Sequence, residues 1–321
     1  MATQKPFRVG VSFHSFTHEY CSFIFSFEDM MQKAAQLGGG VEIVGPAHHR
    51  GFPYVTDEFE RTFKSSLERN GLTPTSYGSY ADPFMLPDRN LTADEIYEYT
   101  VPQIKGAAKL GFSVVRLQHF ASVAVERLVP LAEKLNIKMG YELHTPLMIE
   151  SPRTQELLAQ IKRISSANLG VVPDCGIFAR SVSTYHVNEG RKSGVPETLI
   201  QKALELWDQK ITIEPTIEIM KSMGADAKTI TWIGMVWDTF GFSDPADLKD
   251  IMPYIFHFHG KFFNMVNGDE PDLRYEEVVK TLLENHYQGW MSSEYEGGAT
   301  DSFAVVQEHQ QMVKGYIAKY L

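Results

Sequence analysis

Four side chains able to bind a cation or move a proton occupy matching places in four segments of the chain. Glu142 ends the apolar run of "IKMGYELHTP", Asp174 follows "LGVVP", His259 is the second histidine of "YIFHFHGK", and Glu294 lies in "GWMSSEYE". A lone charge at the end of an apolar strand is costly unless it finds a partner. Three carboxylates converging on one pocket would repel one another unless a cation sat between them. One imidazole with three carboxylates suits a divalent ion of intermediate hardness. Mn²⁺ is favoured, and Mg²⁺, Co²⁺, Fe²⁺ and Zn²⁺ accept the same donors. Each residue alone has a competing structural reading, as a helix cap or the partner of a nearby lysine. As a set they are harder to explain that way. His144 lies two residues beyond Glu142, on the same face of its strand, which places it beside such an ion and not on it.

Convergence requires elements that bring the ends of distant strands together. Strand-like and helix-like segments alternate through most of the chain. Strands are expected at 7–13, 41–45, 73–79, 113–118, 137–143, 169–174, 254–260 and 289–296. Helices are expected at 27–39, 56–71, 92–111, 121–135, 151–164, 274–286 and 303–320. Ser26, Thr56 and Thr92 are placed to cap helices, and Thr92 has capping-box spacing to Glu95. Pro102 is expected to bend or interrupt the third helix. Residues 178–250 break the rhythm, with about three helices and no strand. Eight such strand–helix units predict an α/β fold, a (β/α)8 TIM barrel, as one domain over 1–321. The 178–250 stretch is then a helical insertion after strand six, on the C-terminal face where barrel active sites lie. A doubly wound open sheet is disfavoured, because "HSFTHEYCS" after strand one lacks a glycine-rich phosphate turn. The remaining polar residues at strand ends are His14, Glu42, Arg116, Gln118, His119, His257, Lys261 and Glu296. Of these, His14, Gln118, Lys261 and Glu296 are candidate substrate-binding residues. His257, one layer deeper than His259, reads as structural.

Composition narrows the options. The chain has 321 residues, 43% of them hydrophobic and 22% charged, which is ordinary for a globular protein. A net charge of -10 argues against nucleic acid or an anionic membrane as the main partner. No apolar run approaches the length of a membrane helix. The start, "MATQKPFRVGVSF", reads as lacking a signal peptide, and two cysteines in unlike contexts fit a cytoplasmic location.

At Glu142, Asp174, the second histidine of "HFHGK" and Glu294, the chain resembles the xylose isomerase-like TIM-barrel superfamily of sugar isomerases and epimerases. In its ketose 3-epimerases these positions bind one Mn²⁺ or similar ion, and the carboxylates of strands five and eight also shuttle the proton. This sequence departs from them at Ile177, where the epimerases have a histidine. It departs again at Lys261 and Asn264, in the segment where they have an arginine. The "ELH" of 142–144 is instead similar to the large, alpha subunits of bacterial C-glycoside deglycosidases. That resemblance implies a metal-dependent lyase acting on the C–C bond between a 3-oxo-sugar and an aromatic aglycone, with His144 as general base. It also implies a small β-rich partner subunit and a higher oligomer. Phe178, Phe262, Phe263 and Tyr295 are either surfaces for a flat substrate or packing residues. The other readings are a metal-dependent sugar epimerase or isomerase, a non-catalytic sugar-binding barrel, and a three-metal DNA-repair barrel using His48, His49 and His119, which the acidic charge disfavours.

Overall fold

A computed structural model describes residues 6–321. Residues 1–5, part of the start read above as lacking a signal peptide, lie outside the described residues. Eight strands form one sheet: β1 (Arg8–Ser12), β2 (Gly40–Val44), β3 (Thr73–Ser79), β4 (Val114–Leu117), β5 (Lys138–Leu143), β6 (Leu169–Pro173), β7 (Phe258–Phe262) and β8 (Trp290–Tyr295). All ladders are parallel, in the order β6-β5-β4-β3-β2-β1-β8-β7. Parallel strands are covered on both faces, and β2, β6 and β7 are buried along their whole length. The sheet curls until β6 meets β7 through two isolated parallel bridges, Val171 with Ile255 and Asp174 with His259. The protein is a (β/α)8 TIM barrel.

The helices follow from local signals. Ser26 with Asp29 and Thr92 with Glu95 form capping boxes at helices Phe27–Gln36 and Ala93–Leu110. Thr56 caps Asp57–Asn70, which stops at Gly71 in the left-handed region, φ 63°. Contrary to expectation, Pro102 does not interrupt its helix. Ile96, Thr100, Gln103, Ile104, Ala107 and Leu110 form a buried face on both sides of it, and that packing outweighs one missing N–H. The fourth helix begins at Val125, not 121, because a 3-10 turn occupies His119–Val123.

Two further differences concern the region before the site. The seventh strand runs over Phe258–Phe262, not 254–260. Residues 252–254 form a 3-10 turn containing Pro253, which has no N–H for a ladder, so Ile255 makes only a single bridge. Between β6 and β7 there are four α-helices of nine or more residues, not three: Thr184–Lys192, Glu197–Asp208, Ile213–Ser222 and Ala227–Thr239, followed by the short Leu248–Ile251. The unexpected one, "TYHVNEGRK", is polar along most of its length and is set by its Ser183 cap and by Gly190 beneath Trp232. Antiparallel bridges Phe178–Phe242 and Ala179–Leu273 tie the segment back to the barrel. Among the described residues, no helix is long and apolar enough to cross a membrane.

Candidate metal centre and active site

Inward-pointing side chains near the C-terminal strand ends share one space in this fold. Glu142 is the penultimate residue of β5, Asp174 follows β6 directly, His259 is the second residue of β7, and Glu294 is the penultimate residue of β8. One donor atom from each lies within 4.8 Å of all the others. His259 Nδ1 is 2.8 Å from Glu142 Oε1, 3.3 Å from Glu294 Oε2 and 3.9 Å from Asp174 Oδ2. Asp174 is fixed by its other oxygen, which accepts a hydrogen bond from the Gly176 N–H at 2.6 Å. Gly176 is required by close approach, since a Cβ there would lie 2.8 Å from the Thr239 carbonyl oxygen. Asp174 Oδ2 and His259 Nδ1 are buried with charged neighbours but without a well-aligned hydrogen bond. Two buried carboxylates, one half-buried carboxylate and a buried imidazole nitrogen turned toward them are a donor set that a divalent cation satisfies.

Charges around the cluster are arranged in two layers. Buried Arg116 places Nη1 3.4 Å from Glu142 Oε2 and packs its guanidinium over Tyr80. Burial alone would raise the Glu142 pKa, but Arg116 and His259 outweigh it and hold the carboxyl well below the usual range. Glu294 has less help, and burial raises its pKa. Burial disfavours charge on His259 as well, yet Glu294, Glu42 and Glu142 overcome this and raise its pKa well above 6.5. Deeper in the barrel, the fully buried Glu42 of β2 lies between His259 and His257. His257 Nε2 also meets Ser292 Oγ at 2.9 Å, a structural position as expected from its depth.

A second charged chain leads outward from Asp174. Lys261 Nζ is 3.4 Å from Asp174 Oδ2 and 3.2 Å from Glu296 Oε1, and Glu296 is 3.3 Å from His14 Nε2. His14 and Glu296 line a recess of about 560 Å³ with Tyr185, Tyr295, Gly297 and Gly298. On the β4–β5 side, Gln118, His119, Phe120, Glu142, His144 and Thr145 line a smaller recess of about 180 Å³. His144 Nδ1 is 2.9 Å from the Thr145 carbonyl, which makes Nδ1 the protonated nitrogen and leaves Nε2 as the basic one. Gln118 uses its side-chain oxygen to accept from the Ala81 N–H. Of the residues expected at the site, His14 and Glu296 line the larger recess and Gln118, Glu142 and His144 the smaller, while Asp174, His259, Glu294 and Lys261 are linked to them by the contacts above. Glu42 and Arg116 were visible as polar strand residues but had no assigned role. Their only sequence signal was a charge inside an apolar strand.

Other expectations change. Phe178 and Phe262 are wholly buried, stacked on Phe258 and His309 respectively, so they pack and do not face substrate. Phe263 is buried against His186 and Phe240, and Tyr295 alone of the four lines the larger recess. His48 and His49 are buried, held by the Val44 N–H and the Tyr77 hydroxyl, and do not join the cluster. Ile177 is buried in the core.

This barrel and this cluster define a class. A sequence profile of the xylose isomerase-like TIM barrel family matches residues 31–316, and the chain belongs to that family. It is an enzyme. The chain is 33% identical over 307 residues to the 3'-dehydrocarminate deglycosidase alpha subunit of a Microbacterium species, covering 90% of this chain and 88% of that one. It is 32% identical over 305 residues to the C-glycoside deglycosidase alpha subunit of Microbacterium trichothecenolyticum, covering 90% and 83%. In fold it is similar to the 3-keto-D-glucoside 4-epimerase of E. coli, with a TM-score of 0.56 at 12% identity over 96% of this chain and 99% of that one.

Proposed function

We propose that the chain is the catalytic subunit of a C-glycoside deglycosidase, cleaving the C–C bond between a 3-oxo-sugar and an aromatic aglycone. The carrying observation is His144: an imidazole with a free Nε2 shares a recess with Glu142 of the four-residue cluster, and buried Ile177 stands where the epimerases of this superfamily carry a histidine. Glu142, Asp174, His259 and Glu294 are the ligands of one divalent ion, with Mn²⁺ favoured. When bound, that ion supplies Lewis-acid stabilisation of negative charge at the 3-oxo group and a template for the sugar.

The 3-oxo group makes the C2 proton acidic, and His144 removes it as general base. The electron pair left on C2 forms the C1=C2 bond while the C1–aryl bond breaks. The departing aryl carbon takes a proton, so the reaction is a redox-neutral elimination. Lys261, Glu296 and His14 are the candidate donors of that proton, and with Gln118 they are the proposed substrate contacts; His14 and Glu296 line the larger recess, and buried Lys261 contacts Glu296. The enclosed cluster also keeps its charges in a low-dielectric site, where they act more strongly than in water.

The relatives named as alpha subunits support a partner, which we take to be a small β-rich subunit within a higher oligomer. Exposed Phe23 and Ile24 after β1, Phe84 and Met85 after β3, and Val123 after β4 support the same reading. Two free cysteines, one of them buried, are compatible with a cytoplasmic location. The test is to incubate the protein, alone and with a co-expressed small subunit, with a 3-oxo-C-glucoside and Mn²⁺. Free aglycone is expected. No aglycone under any condition would remove this reading, and conversion of a free ketose to its C3 epimer would establish the epimerase instead.

A further inference from the structure

We propose that Glu42 orients the metal-facing histidine, fixing which nitrogen of His259 carries the proton and which meets the ion. This rests on the metal-centre reading above. Glu42 belongs to β2 and reaches across the barrel interior to β7. Its carboxylate lies 3.0 Å from His257 Nε2, and both of its oxygens lie 3.1 Å from His259 Nε2. Glu42 and both histidines are buried, 1% exposed at most, so no water competes for these contacts.

A carboxylate in this environment is acceptor-only. With both carboxylate oxygens of Glu42 lying 3.1 Å from His259 Nε2, that nitrogen is the one placed to carry an N–H. A lone pair there would face the carboxylate across a buried gap, leaving both acceptors unsatisfied. With a cation at the cluster, the proton of neutral His259 is the one held at Nε2 against Glu42, and the lone pair lies on Nδ1. Nδ1 is the nitrogen turned toward Glu142, Glu294 and Asp174. The same contact opposes rotation about the Cβ–Cγ bond, which would put a ring carbon, Cδ2, in the place of Nδ1. Carboxylates behind metal-ligating histidines typically strengthen metal binding 10- to 100-fold. Glu42 is a positioning residue in this reading: it lies outside the four-residue cluster and lines neither recess. The second imidazole has a supporting part. His257 has Ser292 as an additional partner, so it holds Glu42 from the far side while leaving the His259 contact intact.

The test uses the full-length protein freed of metal by chelation and titrated with Mn²⁺, with free Mn²⁺ read by electron paramagnetic resonance. Wild type is expected to bind one ion. Glu42→Gln, which keeps the shape but loses the charge, is expected to bind about 10- to 100-fold more weakly. Ser292→Ala, which disturbs the same buried network only beyond His257, is expected to stay within about threefold of wild type. Nitrogen NMR of wild-type protein loaded with diamagnetic Zn²⁺ is expected to show His259 Nε2 protonated and Nδ1 ligated, a signature available even if Glu42→Gln fails to fold. Equal affinity in Glu42→Gln, an equal loss in Ser292→Ala, or ligation through Nε2 would each overturn the proposal and leave the metal site standing. A wild type that binds no Mn²⁺ would remove the metal-centre reading and this inference with it.

Discussion

Glu142 is held on both of its oxygens, by Arg116 on one and His259 on the other, and His144 stands just beyond it with Nε2 free. The two residues two positions apart therefore divide their work. Removing Glu142 leaves buried Arg116 without its carboxylate and takes one donor from the cluster. Removing His144 takes nothing from the cluster. Glu142→Ala is expected to purify without stoichiometric metal by elemental analysis. His144→Ala is expected to retain the metal but to lose about 10²- to 10⁴-fold in turnover, the usual worth of a general base. Metal loss in His144→Ala, or full activity in both variants, would show that the roles are misassigned.

At the scale of elements, the seam between β6 and β7 matters most. It has no continuous ladder, only the Val171–Ile255 and Asp174–His259 bridges, and the second joins two of the four cluster residues. The helices that follow β6 pack back toward this seam. Trp232 anchors them: its indole N–H donates to the His186 carbonyl, and its ring lies directly on Gly190. These contacts hold the helix Thr184–Lys192, which carries Tyr185 to the wall of the larger recess. Trp232→Ala empties a buried ring-sized volume and should cost about 3 kcal/mol or more. We expect a lower denaturant midpoint and faster proteolytic cleavage within 184–239, whereas protease resistance equal to wild type would show that Trp232 does not anchor the segment.

At the scale of the whole molecule, stability should fall in mild acid. Burial lowers the pKa of His48 and His309 to about 3 and that of His186 to about 4, so all three are neutral when folded. When unfolded they titrate near 6.5. Below that pH the unfolded chain binds more protons than the native one, and the native state loses about 2 kcal/mol per histidine between pH 7 and pH 5. Glu270 acts in the opposite sense. Burial raises its pKa to about 7, so the native state gains a proton first as pH falls and is stabilised relative to the unfolded chain. His49, His119 and His257 are lowered in the same sense and His14 is raised in the opposite one, so with the metal occupying His259 the lowered histidines outnumber the raised groups and give a net loss. Urea unfolding at pH 7 and pH 5, with metal present at both, should show a lower midpoint at pH 5. An unchanged or higher midpoint would contradict the balance.

The sequence by itself determined the alternation of strands and helices, because two-residue and 3.6-residue periodicities and cap residues such as Ser26, Thr56 and Thr92 act over a few neighbours. It also marked Glu142, Asp174, His259 and Glu294, since a charge ending an apolar strand stands out locally, and the family resemblance rests on those same positions. The register of β7 was hidden, because 254–257 is as apolar as a strand while Pro253 and the turn before it delay pairing. The parts played by Arg116 and Glu42 were decided only by the tertiary structure. Their contacts join β4 to β5 and β2 to β7 across the barrel interior, and no local pattern records which distant side chain a buried charge will meet. Closure of the sheet brings those strands together, and with them the layer of charges that holds Glu142 and His259 in place.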